Sequence, residues 1–187
     1  MSDGMRFAFA DPPYLGCGRL YAAHHSEAMI WDDPAEHTRL VQRLCDEWPD
    51  GWAVSLHEPS LRHYLSIVPG DARVAAWVKP FAAFKKGVTR AYTWEPVIFW
   101  RGRPIPKTRD TWRDHLSEPI TMRKGLTGAK PWRFCEWVLD GLGWQPGDDL
   151  TDVFPGTGIM GKVIAARICA PMQEGLFAQP PHPGVTP

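Results

Sequence analysis

Short apolar runs alternate along the chain with stretches in which apolar residues recur every three or four positions. The runs are typical of buried strands, and the spaced stretches are typical of helices with one buried face. Prolines and glycines stand between them and mark the ends of elements. Five strands are predicted in this way, over residues 6–10, 51–56, 73–78, 94–100 and 149–154.

Helices are predicted between these strands. Asp33, Pro34 and Glu36 have the order of a helix start, with an N-cap, a first-turn proline and a capping-box acid. A short helix is predicted over residues 59–67, another from Pro131 to Gly141 or Gly143, and an apolar one up to Ile168. The apolar face of the first helix is formed by Leu40, Val41, Leu44, Cys45 and Trp48, and that of the helix after Pro131 by Phe134, Trp137, Val138 and Leu142.

Alternating strands and helices predict an α/β fold around a mostly parallel sheet. Pro96 lies inside the fourth strand, which indicates an edge position or a bulge. Residues 101–129 show no sustained period and are predicted to be a long loop or a small insertion. A length of 187 residues fits one domain, over residues 1–178, and the four prolines within residues 179–187 indicate a disordered tail.

The composition is that of an ordinary folded protein, with 44% hydrophobic and 22% charged residues. No apolar run approaches the about 20 residues that a membrane helix needs, and the first six residues lack the apolar stretch of a secretory signal. The four cysteines are scattered, so neither a disulfide framework nor a metal site is predicted. We therefore expect a cytoplasmic protein with no membrane partner.

The formal net charge is zero, but its distribution is uneven. Residues 73–133 contain 14 Lys and Arg against 4 Asp and Glu, a net of +10, and the rest of the chain is correspondingly acidic. This asymmetry indicates a side that faces a polyanion, with a solvated basic face as the alternative. The candidate phosphate contacts are Lys85, Lys86, Arg90, Arg101, Arg103 and Lys107.

The first motif that can carry chemistry is Asp11-Pro12-Pro13-Tyr14, directly after the first strand. Ligands of open α/β sheets bind outside the carboxyl ends of the strands. The carboxylate of Asp11 and the carbonyl of Pro12 can accept both hydrogens of a planar amino group, while Tyr14 stacks on its ring. The alternative is an ordinary proline turn with a surface tyrosine.

The second motif follows the last strand, where Asp152 leads into Gly156-Thr157-Gly158 and a helix. Glycines there let a ligand approach the backbone closely at a helix N-terminus. The spacing fits neither a phosphate-binding loop nor a dinucleotide fingerprint. Taken alone, the motif is also compatible with glycines that serve only the turn.

In combination the motifs are more specific. Asp-Pro-Pro-Tyr, then Lys130-Pro131-Trp132, then Asp-x-Phe-x-Gly-Thr-Gly, in that order, resemble the permuted β-type DNA amino-methyltransferases in a small, phage-like form. The resemblance implies a Rossmann-like sheet with helices on both faces, S-adenosyl-L-methionine (SAM) as cofactor, and a flipped base in the Asp-Pro-Pro-Tyr pocket. It implies catalytic roles for Asp11, Pro12, Pro13 and Tyr14, and cofactor contacts from Phe9, Ala10, Asp11, Lys130, Pro131, Asp152, Phe154, Pro155, Gly156, Thr157 and Gly158.

The chain departs from the family pattern in three places. The family has a strand and an acidic turn before the catalytic strand, whereas here about ten residues precede Asp11. After the glycine loop the apolar pattern fades at residues 171–174, so Glu174 is the candidate for holding the SAM ribose. The target-recognition domain is absent or reduced to residues 101–129. We therefore expect a methyltransferase sheet trimmed at both ends.

The expected activity is methyl transfer to the exocyclic N6 of adenine in DNA. An aspartate in the first motif favours adenine over cytosine-N4 as a tendency of the family. RNA adenine and a glutamine side-chain amide stay open as acceptors, and so does a degenerate homologue that binds nucleic acid without catalysis. The expected partner is DNA, with RNA as an alternative, a homodimer stays open, and a phage-encoded enzyme would work in the host cytoplasm. Trp31 and Trp112, in predicted loops, are candidates for stacking on bases.

Overall fold

The computed structural model describes residues 4–20, 28–80, 89, 91–104, 106, 111–121 and 129–169. Within them the strands are β1 (Arg6–Ala10), β2 (Gly51–Ser55), β3 (Arg73–Val78), β4 (Trp94–Arg101), β5 (His115–Ser117) and β6 (Asp149–Asp152). The α-helices are α1 (Pro34–Glu47), α2 (Leu61–Ile67), α3 (Trp132–Leu142) and α4 (Ile159–Cys169). Short 3-10 turns span Gly18–Leu20, Ala28–Asp32 and Glu58–Ser60.

The strands form one sheet in the order β5-β3-β4-β2-β1-β6. β1 runs parallel to β2 and to β6, and β3 runs parallel to β5, whereas β4 is antiparallel to both of its neighbours. Among the described strands, β4 alone therefore runs against the other five. The predicted α/β fold with a mostly parallel sheet is confirmed, and the carboxyl ends of β1, β2 and β6 lie at one edge.

The edge position predicted from Pro96 is wrong, because β4 lies between β3 and β2. Leu56 donates its backbone N–H to the carbonyl of Pro96 at 3.1 Å, so that side of Pro96 faces the end of β2. β2 ends at Ser55, opposite Val97. The N–H that proline lacks would face the Leu56 carbonyl just beyond β2, so at most the last hydrogen bond of the β2–β4 ladder is missing.

Residues 101–129 contain more structure than the sequence predicts. β5 pairs with β3 at the outer edge of the sheet, and tryptophan N–H groups bind this segment to the domain. Trp137 Nε1 donates to the Arg113 carbonyl at 2.8 Å, and Trp112 Nε1 donates to the Trp137 carbonyl at 3.1 Å. Trp112 stacks on Trp137, with ring centroids 5.4 Å apart. The expectation that Trp112 stacks on bases is therefore wrong, since its ring packs against the core.

The sheet is covered by helices on both faces, as the sequence predicts. Alternate residues of β1 point to opposite faces, so Phe7 and Phe9 pack in one core and Ala8 and Ala10 in the other. α3 and α4 cover the first core, and α1 and α2 cover the second. This double coverage explains why the strands are continuous apolar runs. The tryptophans that the spacing places in the core are buried, namely Trp48, Trp52, Trp77 and Trp137.

α1 begins as predicted in one respect and differs in another. The Asp33 side chain accepts a hydrogen bond from the backbone N–H of Ala35 at 2.9 Å and caps the helix. Glu36 does not complete the capping box, because its carboxylate pairs with Arg39 one turn on. No helix among the described residues is long and apolar enough to cross a membrane.

Candidate active site

The two sequence motifs meet at the carboxyl edge of the sheet. β1 and β6 are neighbours, with Phe9 opposite Asp152, and the Val153 N–H donates to the Phe9 carbonyl at 2.9 Å. The turn that starts at Asp11 and the turn at residues 155–158 therefore leave the sheet side by side. This is the edge at which ligands bind in α/β sheets.

The glycine turn exposes its backbone to open space. Gly156 has φ +46° and Gly158 has φ +67°, which are left-handed values that favour glycine. Among the described residues, a Cβ at Gly156 would come no nearer than 3.8 Å to the Phe154 carbonyl oxygen, and one at Gly158 would meet nothing within 4 Å. α4 begins directly afterwards at Ile159, so the turn also lies at a helix N-terminus.

Asp152, at the end of β6, has a buried carboxylate oxygen that lacks a partner. Within the part of the chain that the structure describes, its Oδ1 has no hydrogen bond. Burial and the nearby charge of Asp11 raise the pKa of Asp152 to about 6, against the opposing effect of the Phe154 N–H. Buried polar atoms are nearly always hydrogen-bonded in folded proteins, so this oxygen is a candidate for accepting a hydrogen bond from a ligand.

The other motif lies in a cluster of charged and aromatic side chains. Lys130 Nζ lies 3.0 Å from Asp11 Oδ1, 3.0 Å from Glu95 Oε2 and 2.9 Å from the Tyr14 hydroxyl oxygen. The Tyr14 hydroxyl donates to Glu95 Oε2 at 3.0 Å. Lys79 Nζ donates to the other oxygen of Glu95 at 2.8 Å. Asp11 therefore lies at one end of a chain of alternating charges.

Mutual attraction outweighs the cost of burial for Glu95 and Lys130, but not for Asp11. Burial raises the pKa of Glu95, but Lys130 and Lys79 outweigh it and hold this pKa at about 2. Burial lowers the pKa of Lys130, yet Asp11 and Glu95 outweigh it and hold this pKa well above its usual value. The pKa of Asp11 is raised by burial and by Glu95, with Lys130 acting in the opposite direction.

Tyr14 is placed differently from the expectation. Its ring stacks on the His57 imidazole, with centroids 5.0 Å apart and an interplanar angle of 15°. His57 Nδ1 and Ser60 Oγ form a hydrogen bond of 2.8 Å, which holds the imidazole in place. Burial, with the charge of Asp11 adding, raises the pKa of the Tyr14 hydroxyl well above its usual value. One face of the tyrosine is therefore covered by His57, which leaves at most the other face for a target base.

Glu95, Lys79 and His57 belong to the site, although no sequence motif predicts them there. Glu95 and Lys79 lie at the facing ends of β4 and β3, and His57 follows β2. The available signal was Glu95 at the start of an otherwise apolar strand, where a charged residue needs a buried partner. Lys79 lies beside Glu95 only because β3 pairs with β4, and no sequence motif predicts that pairing.

The remaining cofactor candidates lie around the two turns. The side chains of Phe9 and Ala10 are buried on opposite faces of the sheet, so only their backbones reach this edge. Phe154 packs edge-on against Trp31, at 5.0 Å between ring centroids, so Trp31 supports the glycine turn. Lys130 directs its ammonium group at Asp11 and Glu95, and Pro131 caps α3. Pro12, Pro13, Pro155 and Thr157 lie within the two turns.

Two of the predicted phosphate contacts lie at the end of the sheet away from Asp11, and their role stays a prediction. β4 is antiparallel to β2 and ends at Arg101 opposite Gly51, so Arg101 and Arg103 lie at the end of the sheet away from Asp11. The Arg103 guanidinium pairs with Asp148 at 2.6 Å, and Arg101 lies over the Trp100 ring at 4.2 Å. Their positions follow from the direction of β4. Lys85, Lys86, Arg90, Lys107 and Glu174 lie outside the described residues.

A search of protein-family models gives no match, and no curated protein sequence matches either. Among solved structures, the chain is similar to the crystal structure of the M1.HpyAVI–SAM complex, with a TM-score of 0.54 and 16% identity. The match covers 87% of this chain and 78% of that one. The chain thus shares the fold of that protein, a mixed α/β fold with a six-stranded sheet flanked by helices. No group of His, Cys, Asp and Glu suited to a metal ion occurs among the described residues.

Proposed function

We propose that this protein is a SAM-dependent methyltransferase that transfers a methyl group to the exocyclic N6 of adenine in DNA. One observation carries the proposal: the adjacent ends of β1 and β6 bring the Asp11-Pro12-Pro13-Tyr14 turn beside an open glycine turn. The first turn offers acceptors for an amino group, and the second offers room for a cofactor. The similarity in fold to a protein that forms a SAM complex supports the same choice.

The residues at the end of β6 suit SAM in charge and in shape. Asp152 Oδ1, which has no hydrogen-bond partner among the described residues, is an acceptor for the α-ammonium group of the methionine part of SAM. The open backbone at Gly156 and Gly158 admits the same part of the cofactor. When bound, SAM supplies an electrophilic methyl group on a sulfonium centre and leaves as a neutral thioether.

The Asp11 turn suits the acceptor. The Asp11 carboxylate and the Pro12 carbonyl accept the two hydrogens of the adenine amino group, which turns the nitrogen lone pair out of conjugation with the ring. This orientation supplies much of the rate by alignment alone. The nitrogen would gain the methyl carbon as the carbon–sulfur bond breaks, and the proton that it then loses would pass to solvent. Because this amino group lies inside the base stack of a duplex, the base must first be flipped out.

The cofactor part of the proposal predicts a pH dependence. Because the pKa of Asp152 is about 6, its carboxyl is ionised above that pH and protonated below it. Only the ionised form attracts an ammonium group, so SAM affinity is expected to fall as the pH drops through about 6, by at most about tenfold per pH unit. Titration calorimetry between about pH 5 and pH 7.5 measures this.

Asp152→Asn is the matched variant for that titration, since it keeps the size of the side chain and removes the charge. Its SAM affinity is expected to be weaker at neutral pH and flat across the same range. A variant that keeps the wild-type pH dependence would assign the titrating group to another residue.

The DNA part of the proposal predicts salt-dependent binding. Lys85 and Lys86 lie within the basic residues 73–133. Replacing both with alanine is expected to weaken binding to unrelated DNA sequences about equally and to flatten the salt dependence, since fewer counterions are released. Fluorescence anisotropy at several salt concentrations measures both effects. Arg43→Ala with Arg62→Ala removes the same charge from exposed positions outside this region and is expected to leave the slope as it was.

A SAM titration of the folded protein tests whether it binds the proposed cofactor. Saturable thermal stabilisation by SAM, with a Kd confirmed by calorimetry, is expected of the enzyme. A folded protein that binds DNA but shows no stabilisation with SAM would instead be a non-catalytic homologue.

A further inference from the structure

Four charged side chains line the inner side of the Asp11 turn and are largely withdrawn from solvent. The exposed fraction is 22% for Asp11, 6% for Lys130, 15% for Glu95 and 10% for Lys79. Their charges alternate, with contacts of 3.0, 3.0 and 2.8 Å along the chain Asp11–Lys130–Glu95–Lys79. Buried charges need such partners, because an unpaired one is costly to remove from water.

Glu95 and Asp11 differ in the number of lysines that they contact among the described residues. Glu95 lies between Lys130 and Lys79 and keeps one cation if the other is lost. Among the described residues, Asp11 has an ion pair with Lys130 alone. The charge of Asp11 therefore depends on a single ammonium group, and that group is held from the other side by Glu95.

The charge of Asp11 bears on the proposed methyl transfer. A carboxylate accepts hydrogen bonds strongly, whereas a protonated carboxyl is a weaker acceptor and also carries a donor. Burial and Glu95 both favour the protonated form of Asp11, and Lys130 opposes them. Without Lys130, the pKa of Asp11, the group that must accept from the adenine amino group, would therefore be higher still.

We propose that Lys130 is a positioning residue, whose ammonium group keeps Asp11 ionised and directed into the site, and that Glu95 holds Lys130 in this role. The inference rests on the proposed function, because it concerns how Asp11 is prepared for the acceptor. The side chain of Lys130 then acts on the Asp11 turn, and Glu95 and Lys79 belong to the same active site.

Several titratable or charged groups besides Lys130 face Asp11 or its contacts. Asp152 raises the local negative charge from β6, and its pKa responds to Asp11 in turn. Lys79 is the further cation among the described groups, and it contacts Glu95 rather than Asp11. The remaining groups supply no cation. They are Tyr14 on its own turn, His57 stacked on Tyr14, Tyr64 on α2, Glu95 on β4, Cys135 on α3 and Asp152 on β6.

The variant that tests the inference is Lys130→Met, which keeps an unbranched apolar stem and removes the charge. An opposite charge at this distance lowers a carboxyl pKa by about 1–3 units, so the acidic limb of the pH–rate profile is expected to rise by about one unit or more. Transfer at a pH below that limb is expected to fall by about tenfold per unit, and to recover as the pH is raised.

Lys79→Met is the matched control. Lys79 has a similar exposure, and both ammonium groups lie 5.4 Å from the centroid of the Trp77 ring, but Lys79 contacts Glu95 and not Asp11. Loss of the cation–π contact with Trp77 would affect both variants alike, whereas Lys130 also lies 5.5 Å from the ring centroids of Tyr14 and Phe134. We expect the acidic limb to move much less in Lys79→Met, and Lys130→Arg to retain a limb near that of the wild type.

A titration of the Asp11 carboxyl carbon by NMR in the free protein separates this inference from the proposed function, because it needs neither cofactor nor acceptor. A pKa of Asp11 that rises in Lys130→Met and hardly moves in Lys79→Met supports the inference, whether or not the wild type methylates DNA. An unchanged pKa in a folded Lys130→Met protein, or equal shifts in the two variants, overturns it. A wild type that transfers no methyl group overturns the proposed function alone.

Discussion

Asp11→Ala is expected to lower methyl transfer by at least about 100-fold, the usual scale for losing a positioned polar group in a transition state. The carboxylate is the acceptor that orients the adenine amino group, and alanine leaves only the Pro12 carbonyl for two hydrogens. The fold should survive, since Asp11 follows the last residue of β1 and its side chain is partly exposed. Lys130 keeps its contact with Glu95 in this variant.

Transfer of a labelled methyl group to DNA, under single-turnover conditions, measures the effect. SAM affinity should change little, because the cofactor is assigned to the end of β6. Asp149→Ala is the matched control: it makes the same replacement at an exposed position at the opposite end of β6, and it should keep normal turnover. Near-normal turnover in Asp11→Ala would remove the assigned role.

Gly156→Val is expected to weaken SAM binding by at least about tenfold. The backbone at Gly156 has φ +46°, and left-handed conformations cost residues with a Cβ about 1–2 kcal/mol, most of all when they are β-branched. If the turn keeps its conformation, the new side chain points into the space assigned to the methionine part of SAM. If the turn relaxes, the backbone groups that face the cofactor move. Either response lowers affinity.

Calorimetry with SAM measures this loss, and thermal unfolding checks that the fold is retained. Gly161→Val is the matched control, since it lies in α4 with open space around it and no left-handed φ. That variant should bind SAM as the wild type does. Equal affinity in Gly156→Val would place the cofactor pocket elsewhere.

Most of the fold could be predicted because both faces of the sheet are covered. A strand buried on both faces is a continuous apolar run, and Arg6–Ala10 and Gly51–Ser55 stand out for that reason. β5 could not be predicted, because three residues are too few to show a period. Pro96 misled because the rule that places proline at sheet edges assumes a neighbouring strand that continues beside it, whereas β2 ends there.

The site was predictable only where it is local in sequence. Asp11 and Asp152 belong to contiguous motifs, and two parallel neighbouring strands suffice to bring them together. Glu95 lies on β4 and Lys79 follows β3, and both are linked to Asp11 through Lys130. These contacts join residues that are far apart in sequence, so no spacing of residues predicts them. The distance of Arg103 from the Asp11 turn could not be predicted for a similar reason, because only the direction of β4 shows that Arg103 lies at the opposite end of the sheet.

The most direct test of the proposed function is to incubate the protein with methyl-labelled SAM and separate samples of DNA, RNA and protein. The labelled product is then identified by mass after digestion. We expect N6-methyladenine in the DNA sample, with the label lost in Asp11→Ala and retained in Asp149→Ala. Label on cytosine, in RNA only or on a glutamine amide would contradict the assigned acceptor. A folded protein that binds SAM and labels none of the three would contradict the enzyme itself.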